Sequence, residues 1–201
     1  MTIAAILLAA GTASRYRTAD PSVATKLVAR LGGVPLVRLA AEAALASRAT
    51  PVVVVTGHAE AEVRSALDGL MLTVVSNADF ASGMASSLHA GLAALPPDCD
   101  GALVLLADMP GVTATVLDAL IEAFEAADQA EAVVPVHGGR RGNPALLGRA
   151  LFAAAMTLTG DEGARRLLAR ARVVEVPLGS DAVLLDIDEP GMLPLAAGSR
   201  P

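Results

Sequence analysis

The 201-residue sequence has no tryptophan, one cysteine, one tyrosine and three phenylalanines. So few aromatics leave no material for a stacking platform of the kind that holds single-stranded nucleic acid. Fifteen Lys and Arg against twenty-one Asp and Glu give a formal net charge of −6. A general phosphate-backbone surface is therefore not expected, and any anion has to be caught at a local site. Cys99, in the loop Pro96-Pro97-Asp98-Cys99-Asp100, cannot pair within the chain and has no metal-ligand spacing around it, which fits a reducing cytoplasm. Although 54% of the residues are hydrophobic, no apolar block reaches the roughly 20 residues needed to cross a bilayer. The apolar start from Ile3 to Ala10 lacks the basic residues of a signal peptide and reads instead as a buried first strand. A cytoplasmic protein with neither membrane nor nucleic-acid partners is expected.

What is present is an alternation. Apolar, β-branched runs near 3–8, 52–56, 72–76, 102–107 and 132–136 predict strands, with further short strands near 173–177 and 183–187. Between them, residues three or four apart predict helices near 35–48, 59–68, 85–94, 113–127, 147–156 and 161–171. Over 113–127, for example, Val116, Leu117, Leu120, Ile121 and Phe124 form one apolar face opposite Asp118, Glu122 and Glu125. Strands alternating with helices define an α/β fold in three layers, a mainly parallel sheet flanked by helices. The length suits a single domain over residues 1–190, followed by a weakly ordered tail over 191–201.

In such sheets ligands bind beyond the carboxyl ends of the strands, which directs attention to four places. After the first strand comes Leu8-Ala9-Ala10-Gly11-Thr12-Ala13-Ser14-Arg15, and later Lys26. Small residues let backbone N–H groups approach phosphate oxygens while Arg15 and Lys26 supply charge, although a plain strand-to-helix turn also explains the loop. The segment Ser82-Gly83-Met84-Ala85-Ser86-Ser87 opens a helix, where Ser86 or Ser87 either caps it or helps receive a ligand. Asp108 ends the buried strand Leu103-Val104-Leu105-Leu106-Ala107, a costly place for an unpaired carboxylate. A magnesium ion bridging it to nucleotide phosphates would neutralise it; the alternative is a helix cap. The second half contributes Arg141-Gly142-Asn143-Pro144, Gly160 to Arg165 and Asp186-Ile187-Asp188-Glu189-Pro190, in which Asp188 or Asp186 offers a second carboxylate.

Taken in order, these segments resemble the MobA-like nucleotidyltransferase family, and within it the molybdenum cofactor cytidylyltransferases. The elements are Ala10, Gly11, Arg15 and Lys26; Gly83 to Leu88; Leu106, Asp108 and Pro110; Gly142 to Pro144; Gly160 to Arg165; and Asp186 to Pro190. Ala10 stands where the guanylyl branch usually carries a second glycine. The loop departs from the family pattern in having Tyr16-Arg17 and the insertion Thr18 to Thr25 ahead of Lys26.

The resemblance implies a Rossmann-like nucleotidyltransferase fold and a Mg²⁺-dependent transfer of CMP from CTP to a molybdopterin-type acceptor, with release of pyrophosphate. Under it, Arg15, Lys26 and Asp108 are catalytic. Ala9, Ala10, Gly11, Arg15, Lys26, Gly83, Ser86 and Ser87 bind the nucleotide; Asn143, Asp161 and Arg165 bind the acceptor; Asp108 and Asp188 hold the metal. It also implies transient contact with a molybdoenzyme or its chaperone. Guanylyl transfer, transfer to another phosphorylated metabolite, and a non-catalytic nucleotide- or cofactor-binding accessory role are the competing expectations. A nicotinamide-binding turn is excluded, because Ala10 to Arg15 does not supply Gly-x-Gly-x-x-Gly.

Overall fold

Side chains alternate along each apolar run, and in the computed structural model this alternation sorts them onto the two faces of one sheet. Residues 1–20, 22–161 and 164–193 are described, without the side chains of Ser14, Arg15 and Arg17. The strands are β1 (Ile3–Ala9), β2 (Arg30–Leu31), β3 (Val34–Pro35), β4 (Val52–Thr56), β5 (Thr73–Ser76), β6 (Gly101–Leu106), β7 (Ala132–His137), β8 (Arg140–Arg141), β9 (Ala145–Gly148) and β10 (Val173–Pro177). The helices are α1 (Ser14–Ala19), α2 (Leu36–Ala46), α3 (Glu60–Ala66), α4 (Met84–Ala93), α5 (Ala114–Ala126), α6 (Phe152–Ala155) and α7 (Arg165–Leu168).

Ile3, Ala5 and Leu7 of β1, Val52 and Val54 of β4, and Leu103 and Leu105 of β6 enter one core, against α2 and α5. Ile6, Val53, Val55, Ala102 and Val104 enter the other, against α4. Burial on both faces is why these strands read as unbroken apolar runs. Leu117, Leu120, Ile121 and Phe124 seat α5 on the first face. Each such side chain contributes roughly 1.5–3 kcal/mol by leaving water. Gly91 lets α4 lie close on the second face, where a Cβ would overlap Ile6.

The sheet runs β10-β7-β9-β6-β1-β4-β5, with β8 paired to β7. Strands β6, β1, β4 and β5 are parallel neighbours, and β9 enters antiparallel to both β6 and β7. The chain leaves β1 toward β4 and later returns to β6 on β1's other side. That reversal opens a crevice at the carboxyl ends of β1 and β6, where α/β sheets bind ligands. The register Leu8↔Leu106 places the Ala10-Gly11 loop beside Asp108.

Several expected elements differ. Residues 183–187 form no strand: Asp181–Leu184 is a 3₁₀ turn, and the following backbone makes single bonds to the exit of β6 in place of a ladder. The expected helix at 147–156 begins as strand β9, continues as a 3₁₀ turn at Arg149–Leu151 and ends in the four-residue α6. An apolar run as short as Ala145-Leu146-Leu147 has too few residues to separate the two periods. The helix expected at 161–171 is described only over Arg165–Leu168, and Glu162 and Gly163 lie outside the described residues. Of the expected tail, residues 194–201 lie outside them as well.

Candidate active site

The crevice is a cavity of about 500 Å³ lined by the loop after β1, by Lys26, by Phe80, Gly83, Met84 and Ser87 at the start of α4, and by Asp108, Asp161, Asp186 and Asp188. Gly11 is exposed there, and a Cβ built on it would meet nothing within 4 Å among the described residues. Packing against those residues therefore does not require a glycine at that position. Ala10 faces the cleft and its carbonyl accepts the His58 N–H at 3.2 Å, tying the loop to the exit of β4. Ala9 belongs to the buried core, and its side chain does not line the cavity. The backbone of Arg15 is in α1, while its side chain lies outside the described residues.

The insertion before Lys26 does not carry it away from the site. Thr25, fully buried, caps a 3₁₀ turn over Lys26–Val28 by accepting the Leu27 N–H. From that turn the Lys26 ammonium reaches Asp108 Oδ2 at 2.7 Å and Asp188 Oδ1 at 2.8 Å. The Ile187 N–H donates to the Asp108 carbonyl at 2.9 Å and brings the flanking aspartates over the end of β6. One carboxylate oxygen from each of Asp108, Asp186 and Asp188 then lies within 4.8 Å of the others. Both members of the alternative posed by the sequence, Asp186 and Asp188, join Asp108.

Electrostatically, Asp108 is under-compensated. Burial pushes the Asp108 carboxyl above the usual carboxylate range; Lys26 works against the rise and Asp186 adds to it. Burial alone would lower the Lys26 ammonium, but Asp108 and Asp188 together outweigh it and hold the ammonium above its ordinary value. Asp108 Oδ1 is buried, and among the described residues it has no hydrogen-bond partner. Leaving such an oxygen unsatisfied costs about 1–3 kcal/mol. Three hard oxygen donors, one of them orphaned in this way, fit a divalent cation of the magnesium or manganese type.

The start of α4 is built differently from the sequence expectation. Helical residues begin at Met84, so Ser86 and Ser87 sit in the first turn and are not the cap. Asp161 supplies the acceptor, its Oδ1 3.2 Å from the Met84 N–H, and Gly160 accepts the Ala85 N–H at 3.0 Å. Gly83, at φ 116°, packs so closely that a Cβ would overlap the Gly160 backbone. Buried Asn77 donates to the hydroxyls of Ser86 at 2.8 Å and Ser87 at 3.0 Å, and accepts the Asp79 N–H at 3.0 Å. The Ser86 oxygen is also within bonding distance of the Asp79 and Gly83 carbonyls, which turns it toward the protein, while Ser87 lines the cavity. Sequence reading missed Asn77. Its signal was available, since it is the first residue after β5 at the carboxyl edge of the sheet.

A second cavity of about 790 Å³ adjoins the first and shares Met84, Leu106, Asp161 and Asp186 with it. Asn143 and Arg165 line it together with Arg140, Arg141 and Val183. The three acceptor-side residues expected from sequence, Asn143, Asp161 and Arg165, are thus gathered in one place. His137 is not: its Nδ1 is 2.9 Å from the Leu178 carbonyl, the behaviour of a loop-anchoring histidine.

A parallel-centred α/β sheet whose switch-point crevice brings together a lysine, a carboxylate cluster and a glycine loop is the architecture of a nucleotide-handling enzyme. Matching the MobA-like NTP transferase domain over residues 5–176, the chain belongs to that family. It is 37% identical over 133 residues, 65% of its length, to the bifunctional protein GlmU of Kineococcus radiotolerans, of which those residues cover 26%. To the 2-C-methyl-D-erythritol 4-phosphate cytidylyltransferase of Streptomyces avermitilis it is 39% identical over 137 residues, covering 66% of this chain and 52% of that one. The chain therefore spans about a quarter of the first of these two relatives and about half of the second. Among solved structures, the Mycobacterium tuberculosis Rv0371c homolog from Mycobacterium sp. strain JC1 superposes with a TM-score of 0.81 at 27% identity, over 98% of this chain and 97% of that one. Rv0371c itself, in a complex with manganese, shares the fold with a TM-score of 0.72 at 24% identity over 89% of each chain.

Proposed function

We propose that the chain is a divalent-cation-dependent nucleotidyltransferase that moves CMP from CTP onto a molybdopterin-type acceptor and releases pyrophosphate, with Mg²⁺ as the cation. The observation that carries this reading is the meeting of two clefts at one carboxylate cluster. The first cleft offers a glycine loop and a lysine to a triphosphate. The second offers Arg140, Arg141 and Arg165 to an anionic acceptor.

In the transfer, an acceptor phosphate oxygen attacks the α-phosphorus of the nucleotide as the bond to the β-phosphate oxygen breaks. A phosphate nucleophile at neutral pH has no proton to lose, so no Ser, Cys or His is needed and positioning dominates. Lys26 and Arg15 neutralise the departing pyrophosphate, and Gly11 leaves room for the triphosphate against the loop backbone. Asp161 and Gly160 hold the start of α4, so that Gly83 and Ser87 form the floor beneath base and ribose. Asn143 and Arg165 orient the acceptor. Asp108, Asp186 and Asp188 hold the cation, which when bound would neutralise charge on the triphosphate and the leaving group.

Ala10, in place of the second glycine of guanylyl enzymes, favours cytosine, and the resemblance to a cytidylyltransferase that acts on an erythritol phosphate agrees with it. That relative also supports a second reading, in which the acceptor is a smaller phosphorylated metabolite. A cytoplasmic setting and transfer of product to a molybdoenzyme or its chaperone complete the proposal. Incubation with each of CTP, GTP, ATP and UTP, Mg²⁺ and either acceptor class, followed by mass identification of the product, separates these readings. Production of a cytosine dinucleotide from the molybdopterin acceptor is expected.

A further inference from the structure

Lys26 makes conflicting demands on one ammonium. Its Nζ lies 2.7 Å from Asp108 and 2.8 Å from Asp188, two of the three carboxylates that would receive a cation. It is also the cation among the described side chains lining the first cleft, and thus the group available there to a triphosphate. Two of the three N–H donors of this ammonium are held by carboxylates, so it can turn only one toward a phosphate while it stays seated between them. Asp108 Oδ1, buried and unpartnered among the described residues, remains beside it.

Building on the reading of this cleft as a triphosphate site, we propose that Lys26 is an internal counterion that keeps the carboxylate cluster from binding a cation alone and releases it when a triphosphate takes the ammonium. The charge count explains the direction. Asp108, Asp186 and Asp188 carry three negative charges when ionised, and Lys26 offsets one of them at the moment a dication approaches. Moving the ammonium onto a triphosphate removes that offset and places its positive charge where the leaving group needs it. The exchange requires only rotation of the long lysine stem, because the Lys26 backbone is fixed by the Thr25-capped turn. Cation and nucleotide binding are thereby coupled through one side chain, in addition to their direct affinity for one another.

The test uses Mn²⁺ without nucleotide, titrated into the full chain and followed by the loss of the free-ion electron paramagnetic resonance signal. Lys26→Met, which keeps the apolar stem and removes the charge, is expected to bind Mn²⁺ about tenfold tighter or more than wild type, from loss of a unit positive charge beside the site. Adding Asp108→Asn to that variant is expected to abolish the gain. Equal or weaker binding by Lys26→Met overturns the proposal, as does a gain that survives Asp108→Asn. If Lys26→Met does not fold, the wild type decides. Saturating Mn²⁺ is expected to raise acylation of the Lys26 amine, read by peptide mass spectrometry, and an unchanged rate contradicts the exchange. Neither readout contains nucleotide, so failure here is distinct from failure of the transfer reaction, which product formation reports.

Discussion

The backbone N–H of Ile187 donates to the carbonyl of Asp108 at 2.9 Å, and this bond joins two parts of the site that are 79 residues apart in sequence (187 − 108). Ile187 is buried against Tyr16, Leu36 and Leu39, so its side chain anchors the segment while the aspartates on either side face the cleft. An apolar residue between two acidic ones thus gives the segment both its anchor and its chemistry. Ile187→Ala should therefore loosen the cluster as well as the core. A loss of about 2–5 kcal/mol in denaturant unfolding is expected, together with weaker binding of Mn²⁺ in a direct titration.

Two glycines of the site should respond oppositely to alanine. Gly83→Ala forces a Cβ into the Gly160 backbone at φ 116°, and a loss of at least about 1–3 kcal/mol in thermal or chemical unfolding is expected. Gly11→Ala meets no atom of the described residues, so its stability should stay within about 0.5 kcal/mol of wild type. Its nucleotide affinity, measured by calorimetry, should nonetheless fall. Unaltered nucleotide binding by Gly11→Ala would remove the loop from the triphosphate site.

Asn77 joins the end of β5 to the first turn of α4 through both serine hydroxyls. Asn77→Ala should cost about 1–3 kcal/mol in stability, the penalty for leaving buried polar partners unsatisfied. Under conditions where it is folded, its KM for the nucleotide should rise more than its KM for the acceptor. Equal effects on both would make its role purely structural.

Much of this arrangement was legible in the sequence because β1, β4 and β6 at the centre of the sheet are buried on both faces and therefore unmistakably apolar. The rule that ligands gather at strand carboxyl ends then pointed to Gly11, Gly83 and Asp108 without coordinates. What the sequence obscured lies where chain length and period carry little information. β9 is four residues long, and the 181–188 segment is held by isolated backbone bonds to residues distant in sequence. Asp161 shows the same limit. The family resemblance implied an acceptor contact for it, but nothing nearby in sequence announced that it also accepts the N–H of Met84, 77 residues earlier.

Arg165 distinguishes the two clefts. It lines the second and not the first, so Arg165→Ala should raise KM for the phosphorylated acceptor by about tenfold, the loss of one charge-assisted contact, with little change in KM for the nucleotide. Steady-state kinetics with each substrate varied in turn would check this. A rise confined to the nucleotide would reverse the assignment of the clefts.

Cation-dependent nucleotidyl transfer at Asp108 is read out by pyrophosphate release from CTP in the presence of acceptor and Mg²⁺. Wild type should release pyrophosphate and stop when the cation is chelated. Asp108→Ala should lose about 10²-fold or more of that rate while keeping its circular dichroism spectrum, since it also removes the unpartnered oxygen. Near wild-type turnover by folded Asp108→Ala, or release that continues after chelation, would rule out cation-dependent transfer at Asp108.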